Sequence, residues 1–96
     1  MSAGFVVSAS QIDGVCFARL VGELDAAHAS RLQQVLQSAS GDVVVDCEAL
    51  DYLGTEGIQA LVAVADRVES LRLVNVSPSI RRVLKLTGAD RILLRG

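Results

Sequence analysis

The stretch from Asp42 to Val68 constrains this chain more than any other, because it joins a strand pattern to a helix pattern through a polar junction. Val43-Val44-Val45 is a β-branched run that reads as a strand. An acidic segment with Asp46, Glu48 and Asp51 follows and reads as a loop. It ends at Gly54-Thr55-Glu56-Gly57, after which Ile58, Leu61, Val62, Ala65 and Val68 recur at helical spacing. A strand that enters a helix in this way leaves backbone N–H groups unpaired at the positive end of the helix dipole. A hydroxyl at that point, here Thr55, is either a helix cap or a place for a phosphate.

The rest of the chain falls into the same alternation. Phe5-Val6-Val7 reads as a short edge strand, and Ile12-Asp13-Gly14 as a hairpin turn. Val15 to Leu24 is a second strand. Asp25 is then a candidate N-cap for a helix from Ala26 to Ala39, closed by Ser40-Gly41. The continuous apolar character of Val43 to Val45 implies a third strand buried on both faces. The second helix is expected from about Thr55 to Glu69, and Leu71 to Val76 alternates as a fourth strand. Ser77-Pro78 is a cap followed by proline at the first helical position, and the third helix ends at Thr87 with Gly88 beyond it. Ile92-Leu93-Leu94 is a last extended piece or a short helical tail. The order β-β-α-β-α-β-α-β places the chain in the α/β class, as one domain over residues 1–96. A mixed sheet of four to five strands with helices packed on it is the expected architecture.

Composition narrows the function. Apolar residues make up 51% of the 96 positions and aromatic residues only 3%, so the core must be built from Val, Leu, Ile and Ala. A formal net charge of -2 is no footprint for nucleic acid. Arg81, Arg82, Lys85, Arg91 and Arg95 gather near the C-terminus and read as a solvated helix face. Cys16 and Cys47 lack the spacing of a metal site and read as buried thiols. The start of the sequence has no signal-peptide pattern and no apolar run is long enough to span a bilayer, so a cytosolic protein without membrane insertion is expected. The phosphate-binding glycine motifs and GxSxG are missing, and His28 is the single histidine. Asp46, Glu48 and Asp51 have no recognisable catalytic partner. The expectation is a protein that is not an enzyme and uses no cofactor or metal.

Four segments then stand in register: Gly22-Glu23-Leu24-Asp25, Val43-Val44-Val45-Asp46, Tyr52-Leu53-Gly54-Thr55-Glu56-Gly57-Ile58, and Ser77-Pro78-Ser79-Ile80-Arg81-Arg82-Val83-Leu84-Lys85-Leu86-Thr87-Gly88. In order and spacing they resemble the STAS family over nearly the whole chain, and the C-terminal segment is similar to its anti-sigma factor antagonist branch. The resemblance implies a small α/β domain without catalysis. It also implies a partner, an anti-sigma factor that is often a serine/threonine kinase, whose capture releases a sigma factor. The kinase phosphorylates a Ser or Thr at the start of the second helix, and a phosphatase resets it. Where the family commonly reads Asp-Ser-Ser/Ala-Gly-Leu, this chain has Gly54, Thr55, Glu56, Gly57 and Ile58. Thr55 therefore matches the phosphoacceptor. Gly54 replaces the acid before it, Glu56 replaces the Ser or Ala after it, and His28 and Ser30 stand where Thr and Pro are frequent.

On this basis the partner-binding residues are expected to be Asp25, Leu53, Gly54, Thr55, Glu56, Gly57 and Ile58, with Leu53 and Ile58 as a small apolar patch. Glu56 has two readings: an acid favoured by the helix dipole, or a standing negative charge that discourages phosphate on Thr55. An alternative function within the family is an accessory subunit docking on the cytosolic ATPase of a membrane transporter. A small nucleotide-binding or acyl-handling enzyme is a third reading, with no catalytic constellation to support it.

Overall fold

The computed structural model describes residues 4–94. It opens with a hairpin, β1 (Phe5–Ile12) and β2 (Val15–Leu24), paired antiparallel from Phe5↔Gly22 to Ile12↔Val15. Asp13 and Gly14, at φ 51° and 80°, make the two-residue turn, whose twist matches that of the strands it joins. The chain then alternates α1 (Ala29–Val35), β3 (Asp42–Leu53), α2 (Thr55–Arg67), β4 (Ser70–Val74), α3 (Pro78–Thr87) and α4 (Asp90–Leu93). The sheet runs β1-β2-β3-β4, with β2, β3 and β4 mutually parallel.

That strand order decides where the core lies. Both crossovers step in the same direction across the sheet. Such connections are right-handed in nearly all folds, so α1 and α2 lie on one face. The burial pattern agrees: Cys16, Ala18 and Leu20 on β2, and Val43, Val45 and Cys47 on β3, are buried, while Phe17, Arg19 and Val21 between them are exposed. Val44 is half-buried, so β3 is not covered on both sides as its apolar run implied. The core is aliphatic, with Leu20, Leu24, Leu32, Leu36, Leu61, Leu84 and Leu93 essentially removed from solvent.

Several expected boundaries move. β1 extends to Ile12 because β2 is long enough to pair with it throughout. β3 runs on to Leu53, so Asp46, Glu48 and Asp51 lie on a strand and not in a loop. The far half of β2 supplies the partner, up to Leu24↔Leu53, with register shifts between Arg19 and Val21 and between Gly22 and Glu23. The helix expected from Ala26 to Ala39 shrinks to Ala29–Val35, with turns at both ends. Asp25 does not cap it: His28 occupies the N-cap position and makes no capping bond. β4 stops at Val74 because Asn75, at φ 57°, turns the chain out of the sheet. The tail at Asp90–Leu93 is helical, so the sheet has four strands among the described residues.

α3 follows its sequence signals. The Ile80 N–H donates to Ser77 Oγ at 3.3 Å, Pro78 is the first helical residue, and Gly88 closes the helix at φ 80°. Arg67, in the last turn of α2, ties the two crossover helices together. Its guanidinium donates to the carbonyls of Leu36 (2.6 Å), Ala39 (3.0 Å) and Gln37 (3.1 Å) where α1 ends, the Leu36 carbonyl also accepting from the Ala39 N–H. Among the described residues no helix is long and apolar enough to cross a membrane.

Candidate functional site

The β3–α2 junction is built by two glycines. Gly54 is the N-cap of α2, extended at φ −95° and ψ 177°. Its carbonyl accepts from the Ile58 N–H and its own N–H donates to the Leu24 carbonyl, both at 3.0 Å. Gly57 allows the close approach behind that second bond. A Cβ there would stand 2.6 Å from the Leu24 carbonyl oxygen and 2.7 Å from Leu24 Cγ. The end of β2 therefore sits directly against the first turn of α2, which brings Asp25 beside the helix start.

Because Gly54 takes the cap position, Thr55 is the first helical residue and caps nothing. It is exposed, and among the described residues its hydroxyl has no hydrogen-bond partner. The cap reading of Thr55 is thus replaced by an open hydroxyl at the positive end of a 13-residue helix. Glu56 follows, also exposed, and is the acidic residue of the first turn.

Leu53 and Ile58, expected as an apolar patch, are 3% and 6% exposed. Leu53 belongs to the core, and Ile58 forms part of the floor of a groove of about 470 Å³ between α2 and the α3–α4 turn. Thr55 stands at one end of this groove, and Val62, Thr87, Gly88 and Ile92 also line it. The exposed apolar side chains in these elements are Tyr52, Leu86 and Ile92, at 52%, 77% and 41%. Sequence reasoning passed over them because their types and spacing fit core positions equally well. Leu86 carried one usable signal: it lies two residues beyond Leu84, which puts it on the opposite side of α3.

Asp25 and His28 meet across the β2–α1 turn. Asp25 Oδ1 lies 2.8 Å from His28 Nδ1, both atoms are shielded from solvent, and neither has another partner among the described residues. The His28 ring packs against Phe5 with centroids 5.6 Å apart. This contact shapes the turn that carries Asp25.

The acidic strand residues form no catalytic cluster. Asp46 accepts from Asn75 Nδ2 and from the Glu48 N–H, each at 3.0 Å, and faces Arg19 at 3.4 Å. The Asn75 bond first, then the Glu48 N–H and Arg19, hold its carboxyl below the usual carboxylate range. Asp46 thus ties β3, where its pairing with β4 ends, to Asn75 and to Arg19 of β2. Cys16 and Cys47 are buried and unbridged. Burial, reinforced by the charge of Asp46, pushes the Cys47 thiol up to about 12, and burial raises Cys16 as well. Both are poor nucleophiles and poor metal ligands. No group of three or more His, Cys, Asp or Glu side chains among the described residues is placed to hold a metal ion.

The chain is similar in sequence and in structure to known proteins over most of its length. A putative anti-sigma factor antagonist, BtrV of Bordetella bronchiseptica, is 30% identical, with 81% of this chain and 74% of BtrV covered. The crystal structure of an anti-sigma factor antagonist from Mycobacterium paratuberculosis superposes with a TM-score of 0.79 at 28% identity, covering 97% of this chain and 87% of that one. The anti-sigma factor antagonist SpoIIAA in its unphosphorylated form shares the fold, with a TM-score of 0.72 at 16% identity over 95% of this chain and 88% of its own. The model of the STAS domain matches residues 7–95, taking in most of the hairpin, both crossovers and the helix start that carries Thr55. The chain belongs to the STAS domain family.

Proposed function

We propose that this protein is an anti-sigma factor antagonist that acts in the cytosol. It binds a kinase-type anti-sigma factor through the start of α2 and the adjoining β2–α1 turn, and so releases a sigma factor. Thr55 is the residue through which a kinase ends that binding and a phosphatase restores it. The observation that carries this reading is the exposed, unbonded Thr55 hydroxyl at the first position of α2. Similarity to named anti-sigma factor antagonists supports the class of partner.

The physics of such a switch is simple. Phosphate on Thr55 adds roughly two negative charges and three acceptor oxygens. The helix dipole favours that charge, so the domain keeps its fold. A partner surface fitted to a neutral hydroxyl meets a dianion instead and loses the fit. Glu56 places one charge beside Thr55 permanently, which opposes a second by like-charge repulsion. It is also a poor copy of a tetrahedral dianion, so binding survives in the unmodified protein. Asp25 on the β2–α1 turn and the groove lined by Ile58, Val62 and Ile92 complete the contact surface.

The test pairs the purified protein with each kinase-type anti-sigma factor encoded in its source genome. With ADP, one of them is expected to bind. With ATP, the intact mass of the wild type is expected to rise by one phosphoryl group and that of Thr55→Ala to stay constant. Glu56→Ala is expected to change the dissociation constant. Absence of binding to every such factor would refute the proposal, and phosphorylation that persists in Thr55→Ala would refute the assignment of the acceptor.

A further inference from the structure

Tyr52 has no evident task in the fold. It is the single tyrosine of the chain, it is 52% exposed, and its hydroxyl has no partner among the described residues. Its neighbour Leu53 fills the core, while Tyr52 lies outside it. The ring instead rests against the N-cap of α2. Tyr52 Cε2 and the phenol oxygen each lie 3.2 Å from where a Cβ on residue 54 would stand. A methyl on residue 54 would press the phenol aside. Tyr52 therefore lies over the cap that precedes Thr55 and Glu56, with its ring edge and phenol oxygen against Gly54 and that oxygen without a hydrogen-bond partner among the described residues.

We infer that Tyr52 is the anchor of the partner-facing surface. The inference rests on the function proposed above and names the residue that carries most of its affinity. A tyrosine has large contact area and few torsions to lose, and here the ring is already positioned by the backbone beneath it. Residues of this type, surrounded by smaller contacts that exclude water, dominate many interfaces. The complementary feature on the anti-sigma factor is an apolar slot closed by a hydrogen-bonding group that meets the phenol. A basic side chain beside the slot would face Glu56. Tyr52, Thr55 and Glu56 then act as one patch: ring for affinity, hydroxyl for control, carboxylate for charge matching.

Four proteins separate this role from a structural one: wild type, Tyr52→Ala, Tyr52→Phe and Gly54→Ala. Each is titrated with the ADP-loaded anti-sigma factor that wild type binds, and each is melted alone. Tyr52→Ala is expected to weaken binding about 30-fold, the threshold of an anchor residue. Tyr52→Phe is expected to keep the larger share of the affinity. Gly54→Ala keeps the phenol but pushes it aside, and is expected to weaken binding about 5- to 10-fold at a modest cost in Tm. Wild type labelled with 3-fluorotyrosine offers a single fluorine resonance, which is expected to shift as partner is added. Binding by Tyr52→Ala within twofold of wild type would overturn the inference, as would a fluorine resonance unmoved at saturation, the deciding arm if Tyr52→Ala does not fold. Those outcomes leave the function standing, because wild type still binds. Wild type that binds no anti-sigma factor overturns both.

Discussion

Gly57→Ala tests the packing on which the candidate site depends. In isolation the change favours a helix, since alanine outranks glycine by about 1 kcal/mol in a helix interior. Here the added methyl would stand 2.6 Å from the Leu24 carbonyl oxygen, 2.7 Å from Leu24 Cγ and 3.0 Å from Leu53 Cδ1. Two of these are core side chains and the third is backbone at the end of β2, so no flexible tip can swing away. Overpacking of this kind costs about 1–3 kcal/mol. Separating β2 from α2 also stretches the Gly54 N–H bond to the Leu24 carbonyl, now 3.0 Å, for about 1 kcal/mol more. The net expectation is a loss of about 2 kcal/mol after the helix gain is subtracted. At about 4–8 °C per kcal/mol for a domain of this size, Tm should fall by about 8–16 °C. Thermal melts followed by far-UV circular dichroism, with urea titrations alongside, measure both quantities. A Gly57→Ala protein as stable as wild type, or more stable, would show that the β2–α2 contact does not constrain the helix start as argued.

Three further expectations follow from single contacts. Arg67→Ala removes three charge-assisted bonds to the end of α1 and should cost about 1–3 kcal/mol in urea unfolding, with Arg67→Lys recovering only part because an ammonium cannot span the same carbonyls. Asp46 has a depressed pKa in the fold, so its contribution to stability is complete above the unfolded carboxylate value near pH 4 and is lost as pH falls through the folded one. Asn75→Gly keeps the positive φ but deletes the leading bond, so it should raise the Asp46 pKa measured by NMR and flatten this acid limb. A titration unchanged from wild type would refute that account. Cys16 and Cys47 should resist a disulfide reagent at pH 8 in the native protein and react promptly in denaturant, whereas rapid native labelling would contradict their burial and raised pKa values.

The elements that could be read from the chain are those whose signals are local. Helix α2 begins where the apolar period begins, and α3 is bracketed by Ser77, Pro78 and Gly88, each acting on backbone within one turn of itself. The hairpin turn at Asp13-Gly14 is equally local, because positive φ at two successive residues permits little else. The family, and the placing of Thr55 at a helix start, follow from the same short-range patterns.

Long-range pairing decided the rest. Nothing within Asp46 to Tyr52 favours a strand, yet β3 persists to Leu53 because β2 lies alongside with hydrogen-bonding groups to satisfy. Val44 is half-buried because two crossovers in one direction leave the far face of the sheet without helices, a property of strand order that no stretch of residues encodes. Thr55 is open rather than a cap because Gly54 is tied to Leu24, thirty residues away in the chain, and takes the cap position itself. Periodicity states which side of a helix is apolar. Only the packed chain states which neighbour reaches it, and so which of its polar groups are left for another molecule.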